Sequence, residues 1–249
     1  MKSTLFMIFI CLNVIYLNGC NQTNELTEYK VKHTSDFQYE VTKTLFEHDD
    51  TKTGTAVRIY HPVISGLSDD ILQIKINEIL KAGAVNDYSS KWEINGLDLQ
   101  MEYSIKLITD DIISIRYYGM GYVFGAAHPL DENYSTNINL KTGERLKIKD
   151  LFYDSFFDII DTEVFKFADK DDFEYYGYTE PVKELLTNYA LNAAEGGYGE
   201  FYFTSDNFGI IVLTPSPNAV CLDFEVSYED LKDYINWDNP IWSELLEVR

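Results

Sequence analysis

Apolar and polar positions change period several times along the chain. From Leu5 to Leu17 the residues are almost wholly apolar, and residues 21–36 are polar, rich in Asn, Gln, Thr, Glu and Lys. Alternation then begins. Phe37, Tyr39 and Val41 share one face of a strand predicted over 37–46, and Ala56–Tyr60 forms a second strand, ended by His61-Pro62. Ile71, Leu72, Ile76, Ile79 and Leu80 follow helical spacing, with Ser68 or Asp69 as the N-cap. Two long strands come next, Leu97–Thr109 and Ile112–Phe124, turned by Asp110-Asp111. Leu99, Met101, Tyr103, Ile105 and Leu107 alternate in the first, and Ile113, Ile115 and Tyr117 in the second.

The second half mixes both periods. Thr136–Leu140 and Arg145–Ile148 read as a hairpin in which Gly143 supplies a positive φ. Residues 155–168 read as an amphipathic helix through Phe156, Ile160, Val164 and Phe167. Thr179-Glu180-Pro181 opens another, carrying Val182, Leu185, Leu186, Tyr189, Ala190 and Ala193, and Glu195-Gly196-Gly197 stops it. Phe201–Thr204 running on to Ile210–Leu213, and Val220–Val226, read as strands. Ser227-Tyr228-Glu229-Asp230 resembles a capping box for a short final helix. Strands joined by hairpins, with helices gathered between Asp150 and Glu195, predict an α+β fold. It has a mainly antiparallel sheet with helices packed on it, in two closely associated subdomains, 37–135 and 136–249. No repeat or low-complexity tract interrupts this order.

The N-terminus changes the picture of where such a fold works. Lys2 followed by a short apolar run reads as an export signal, and the run is shorter than the about 20 apolar residues of a spanning helix. It ends in Leu17-Asn18-Gly19-Cys20, which resembles a bacterial lipobox, with Asn18 as a departure from the usual small or apolar residue. Residues 1–19 are then the signal, Cys20 the lipid attachment site, and 20–36 a polar tether to the membrane. The expected location is the cell envelope, exported and held to a membrane by its lipid alone. Three cysteines occur. With Cys11 in the signal and Cys20 lipidated, Cys221 remains alone in a strand-like run, expected as a buried, inert thiol.

Charge narrows the partners. The 249 residues include 41 acidic and 20 basic ones, a net charge of −21. Nucleic acid is excluded as a partner, because phosphate binding needs clustered Lys and Arg, and so is adsorption to an anionic lipid surface by charge. A basic partner fits. No cofactor is expected: Gly119, Gly121 and Gly125 lack the spacing of a phosphate loop and no helix comes after them. No metal site is expected either. Asp169–Glu174 (D-K-D-D-F-E) places Glu174 where a calcium loop needs glycine, so it reads as a solvated acidic loop.

Tyr117–Pro129 reads Y-Y-G-M-G-Y-V-F-G-A-A-H-P, and Asn139-Leu140-Lys141-Thr142-Gly143-Glu144 is followed by Asp150-Leu151-Phe152. Upstream stand Tyr60-His61-Pro62-Val63-Ile64-Ser65-Gly66 and a helix containing Ile76-Asn77. Together these resemble the extracytoplasmic region shared by RsiV-like anti-sigma factors and the N-terminal part of PdaC-like peptidoglycan deacetylases, over roughly residues 37–235. The G-A-A-H-P match is the most specific part. In RsiV-like proteins that region binds lysozyme and acts as a sensor; in the deacetylases the chemistry lies in a separate domain that this sequence does not contain. The resemblance therefore implies a non-catalytic binding or sensing ectodomain, with a basic, lysozyme-like wall hydrolase as the expected partner. A cell-wall glycan, bound or processed, is the alternative.

His128 is the most conspicuous single candidate. Imidazole titrates near neutrality and suits acid–base work, but no Ser, Cys or second His lies nearby in sequence, so a turn histidine on a close-packed Gly125-Ala126-Ala127 backbone is favoured. Tyrosine, with 19 copies, supplies the other candidates. Tyr175, Tyr176 and Tyr178 come after the acidic run, and Tyr198 lies in a Tyr–Gly-rich segment. Such residues offer large, rigid contact area at low entropic cost.

Overall fold

The computed structural model describes residues 29–30, 39–89, 95–195, 200–214 and 220–246. In chain order, β1 (Tyr29–Lys30), β2 (Glu40–Asp50) and β3 (Thr55–Ser65) lead into helix α1 (Asp70–Ser89). β4 (Leu97–Ile108), β5 (Ile112–Val123), β6 (Leu130–Asn139) and β7 (Glu144–Arg145) come next. These strands form one sheet in sequence order. Neighbours are antiparallel except β3 and β4, which run parallel because α1 carries the chain back between them. β6 crosses residue 135 and continues the sheet towards Arg145.

The second half holds α2 (Ile148–Leu151), a 3-10 helix (Asp154–Ile159), β8 (Lys166–Phe167), α3 (Lys170–Tyr176) and α4 (Glu180–Ala194). β9 (Glu200–Phe203), β10 (Asn207–Leu213), β11 (Cys221–Ser227), α5 (Tyr228–Leu231) and α6 (Ile241–Leu245) complete the chain. The second sheet has the order β8-β11-β10-β9 and is antiparallel throughout. The architecture is α+β, mainly antiparallel, with helices packed on the sheets, as the hydrophobic pattern predicts.

Two apolar cores result. In the first, Ile76, Leu80 and Ala84 of α1 pack on Leu99, Met101, Ile113, Ile115 and Tyr117. Asp69 starts that helix, its Oδ1 accepting from Ile71 N at 2.9 Å and Leu72 N at 3.0 Å. The hydroxyls of Tyr117 and Tyr134 donate to the carbonyls of Leu80 and Ala84, both at 2.9 Å, and fix the helix on the sheet. In the second core, Leu186 and Ala193 of α4 meet Phe203, Phe208, Phe224 and Trp242.

Several local expectations are corrected. β3 runs through His61-Pro62 instead of ending there. β4 pairs with β3 only as far as Ile59, so the edge faced by Pro62 needs no N–H from it. Ile71 is solvent-exposed although it fits the helical period. Residues 155–168 are not one helix: Asp161 Oδ1 accepts from Glu163 N at 2.7 Å and Val164 N at 3.0 Å, and this local turn ends the 3-10 segment before β8. Asp169–Glu174 is not a loop, since Asp169 caps α3 through Asp171 N at 2.7 Å. The run 201–213 folds back on itself, because Thr204 Oγ1 accepts from Asn207 N at 2.9 Å and turns β9 into β10. In β4 a register shift between Ile105 and Leu107 inverts the facing of the strand's last residues. Ile105 therefore packs on the first core and Leu107 on the second.

Candidate ligand-binding groove

The first sheet has one face on α1 and the other towards the second sheet. On that outer face, three polar side chains are buried because they complete the hydrogen bonding of β9, an edge strand. Ser114 Oγ accepts from Phe203 N at 3.0 Å, Ser135 Oγ accepts from Phe201 N at 3.1 Å, and Asn137 Nδ2 donates to Phe201 O at 2.7 Å. Ser114 Oγ also donates to Asn137 Oδ1 at 2.6 Å, which orients the amide. An edge strand that would otherwise be left unpaired is closed by side chains of another sheet.

Beside this seam lies a charged cluster. Arg116 of β5 contacts the Asp223 carboxylate of β11, and its Nη2 donates to Asn133 Oδ1 at 2.9 Å. Burial pushes the Asp223 carboxyl above its ordinary value, while Arg116 pulls the other way. Tyr202, wholly buried, donates to Glu225 Oε1 at 2.9 Å, and the Lys106 ammonium sits 4.6 Å from its ring centre. This cluster joins the two sheets and has its charges matched internally.

The same arrangement leaves a cleft of about 820 Å³ between β6, α4 and the ends of β10 and β11. Asp131, Glu184 and Glu200 supply carboxylates to its lining, and Asn133, Asn188 and Asn192 supply amides. Leu185, Tyr189, Ile211 and Leu213 supply apolar surface, and no lysine, arginine or histidine among the described residues lines it. Glu200 is anchored by Ser135, whose hydroxyl donates to Oε2 at 2.6 Å. Its backbone carbonyl accepts from the Tyr189 hydroxyl at 2.9 Å, and burial raises that hydroxyl's pKa well above its ordinary value. Cys221 also lines the cleft. It is half-buried, not buried as expected, and burial pushes its thiol up to about 12, which keeps it protonated at neutral pH.

A second, shallower cavity of about 700 Å³ opens over Gln100, Ser104, Arg116, Tyr118 and Met120. Asp131 and Asn133 line both cavities, so the two meet across β6 as one groove. One end is acidic and rich in amides; the other carries Tyr118 and Met120 beside the polar side chains of Gln100, Ser104 and Arg116. Among the described residues, no group of three or more His, Cys, Asp or Glu could hold a metal ion.

The sequence-predicted candidates fall around this groove unevenly. Tyr175 and Tyr176 are neighbours on α3, with ring centres 4.7 Å apart. Tyr175 is exposed. Tyr176 is half-buried, its hydroxyl pKa raised by burial first and then by Tyr175, Asp172 and Asp131, and it does not line the groove. Tyr178 stands apart, packed on Phe167 at 5.4 Å and Phe173 at 5.1 Å. His128 is exposed on the turn between β5 and β6. That turn is not close-packed as expected: a Cβ on Gly125 would meet nothing within 4 Å, and Gly125 is required for its φ of +89°. Ala126 N, which donates to Val123 O at 2.8 Å, and the Tyr122 hydroxyl, which donates to Ala126 O at 3.3 Å, shape it. Tyr198 and Cys20, the expected lipid attachment site, lie outside the described residues. Sequence reasoning misses Asp131, Glu184, Asn188, Asn192 and Glu200. The one local signal for any of them is the spacing of Glu184, Asn188 and Asn192, which puts them on one face of α4.

No protein-family model matches the sequence, and no curated protein matches it. Among solved structures, a DUF3298 family protein from Pseudomonas aeruginosa aligns over 82% of this chain and 97% of its own, at 9% identity and a TM-score of 0.44. A DUF3298 family member from Bacteroides fragilis aligns over 86% of this chain and 99% of its own, at 16% identity and a TM-score of 0.54. The α1-crossed sheet and the smaller sheet set against it thus form a fold that this chain shares with the DUF3298 family member from Bacteroides fragilis.

Proposed function

We propose that the folded region is an extracytoplasmic binding module that captures a basic protein in the acidic cleft. The expected export signal would carry it across the membrane, and the lipid on Cys20 would hold it there. Among the described residues no helix is long and apolar enough to cross one. The observation that carries the reading is the cleft lining: carboxylates from Asp131, Glu184 and Glu200 without a basic side chain among the described residues. Such a lining attracts Lys and Arg, and the chain's net charge of −21 speeds the approach of a cationic partner. The groove's apolar and tyrosine surfaces supply contact area once the partner is seated. The resemblance to RsiV-like ectodomains makes a lysozyme-like wall hydrolase the first partner to try.

Calorimetric titration of the protein with c-type lysozyme, at low and at moderate salt, tests this. Saturable binding that weakens as salt rises supports the proposal. Absence of binding at low salt, or binding indifferent to salt, removes it.

A further inference from the structure

The outer face of β5 carries a row of exposed apolar side chains that runs beyond the groove, through Tyr122 to Phe124. Tyr118, Met120 and Tyr122 point outward in succession and are 43%, 52% and 41% exposed. Phe124, just past the strand, is 85% exposed. Same-face residues on a strand lie about 6.6–6.8 Å apart, so these side chains form a line rather than a cluster.

The register sets what flanks them. On the β4 side, Tyr122 is opposite Asp98, Met120 opposite Gln100 and Tyr118 opposite Glu102. On the β6 side, Met120 is opposite Asp131 and Tyr118 opposite Asn133. A row of exposed, largely apolar side chains is thus bordered by carboxylates and amides, on both sides at Tyr118 and Met120 and on the β4 side at Tyr122. Asn133 is held by Arg116 at 2.9 Å, and Glu102 by Lys43 at 2.6 Å, so neither border is free to collapse over the rings.

From this juxtaposition we infer that the outer face of β4, β5 and β6 is a platform for an extended, neutral glycan. A pyranose ring has an apolar C–H face that stacks on an aromatic ring and a rim of hydroxyls that bonds to carboxylates and amides at its edges. The platform repeats that pairing along the strand. A second copy of the chain fits poorly, because a two-fold contact would bring the carboxylate borders towards one another. A lipid surface fits poorly for the same excess of negative charge.

Two neutral probes, hexasaccharides of N-acetylglucosamine and of glucose, are titrated calorimetrically in high salt, where charge-driven capture is suppressed. Saturable binding of either supports the inference, and the preference between them tells whether the acetamido group is read. Tyr118→Ala and Tyr122→Ala are expected to weaken binding at least roughly tenfold each at unchanged Tm, while Tyr118→Phe and Tyr122→Phe retain it. Binding of neither sugar, or binding that survives both alanine changes, overturns the inference. Lysozyme capture that persists without sugar binding overturns it while leaving the proposed function standing.

Discussion

The side chain of Asn77 takes the place of a strand beside Ile64. Its Oδ1 accepts from Ile64 N at 2.7 Å and its Nδ2 donates to Ile64 O at 2.8 Å, as a paired residue of β4 would if β4 reached that far. Pairing between β3 and β4 stops at Ile59, so Asn77 closes the edge of β3 that β4 leaves open and ties α1 to it. Pro62, two residues earlier, faces the same edge and needs no donor partner, which is why the strand tolerates it.

Asn77→Ala removes both bonds and leaves a partly buried N–H and C=O unpaired. A loss of about 2–3 kcal/mol is expected, read as a lower urea midpoint at unchanged slope. Asn77→Asp keeps the acceptor but sets a carboxylate against the Ile64 carbonyl, so it also destabilises. An unchanged midpoint for the alanine variant would show that water or a shifted α1 replaces the amide.

Gly119 and Gly121 differ in what surrounds them, although the sequence presents them as an equivalent pair. A Cβ on Gly119 would lie 2.1 Å from the backbone oxygen of Gln100, whereas on Gly121 its nearest neighbour is Leu99 Cδ1 at 3.4 Å. Gly119→Ala is therefore expected to cost about 1–3 kcal/mol, by parting β4 from β5. Gly121→Ala is expected to be near neutral by the same thermal unfolding measurement. Equal effects would contradict the close approach at Gly119.

His61 is buried, and its ring nitrogen lies 3.2 Å from the Pro62 carbonyl. Burial, with a smaller contribution from Lys81, lowers its pKa below the ordinary 6.5, against the opposing hydrogen bond. The unfolded chain then binds a proton at higher pH than the native one. Stability from this residue is present above about 6.5 and falls as pH drops through that value towards the lower native pKa. Urea midpoints measured between about pH 7.5 and pH 5, relative to His61→Gln, should show that extra decline in the parent. A decline of the same size in His61→Gln would assign it to other groups.

The sequence shows the periodic elements and not what joins them. α4 is legible because Val182, Leu186, Tyr189, Ala190 and Ala193 keep one helical face, and the β4–β5 hairpin because Leu99, Met101 and Tyr103 alternate before Asp110-Asp111 and Ile113, Ile115 and Tyr117 after it, whereas the register shift between Ile105 and Leu107 leaves no mark in that pattern. Ser114, Ser135 and Asn137 carry no such signal. In sequence they look like polar positions facing water, and only the edge of β9, more than sixty residues away in the chain, makes them buried partners. The groove is hidden for the same reason. Glu184, Asn188 and Asn192 form a stripe that any solvated helix face could carry, and Asp131 and Glu200 reach it from two different sheets. The tyrosines conspicuous in the sequence, Tyr175, Tyr176 and Tyr178, lie on α3 and its exit. Of these, Tyr176 is near enough to Asp131 to feel its charge.

Reversing one charge on the cleft wall tests the binding account most directly. Glu184 is exposed on α4 and lines the cleft, so Glu184→Lys changes the site and little else. Calorimetric titration with lysozyme at low salt should show affinity reduced roughly tenfold or more, at unchanged Tm, with a shallower dependence on salt than the parent. The same affinity and salt dependence in Glu184→Lys and the parent would contradict the account.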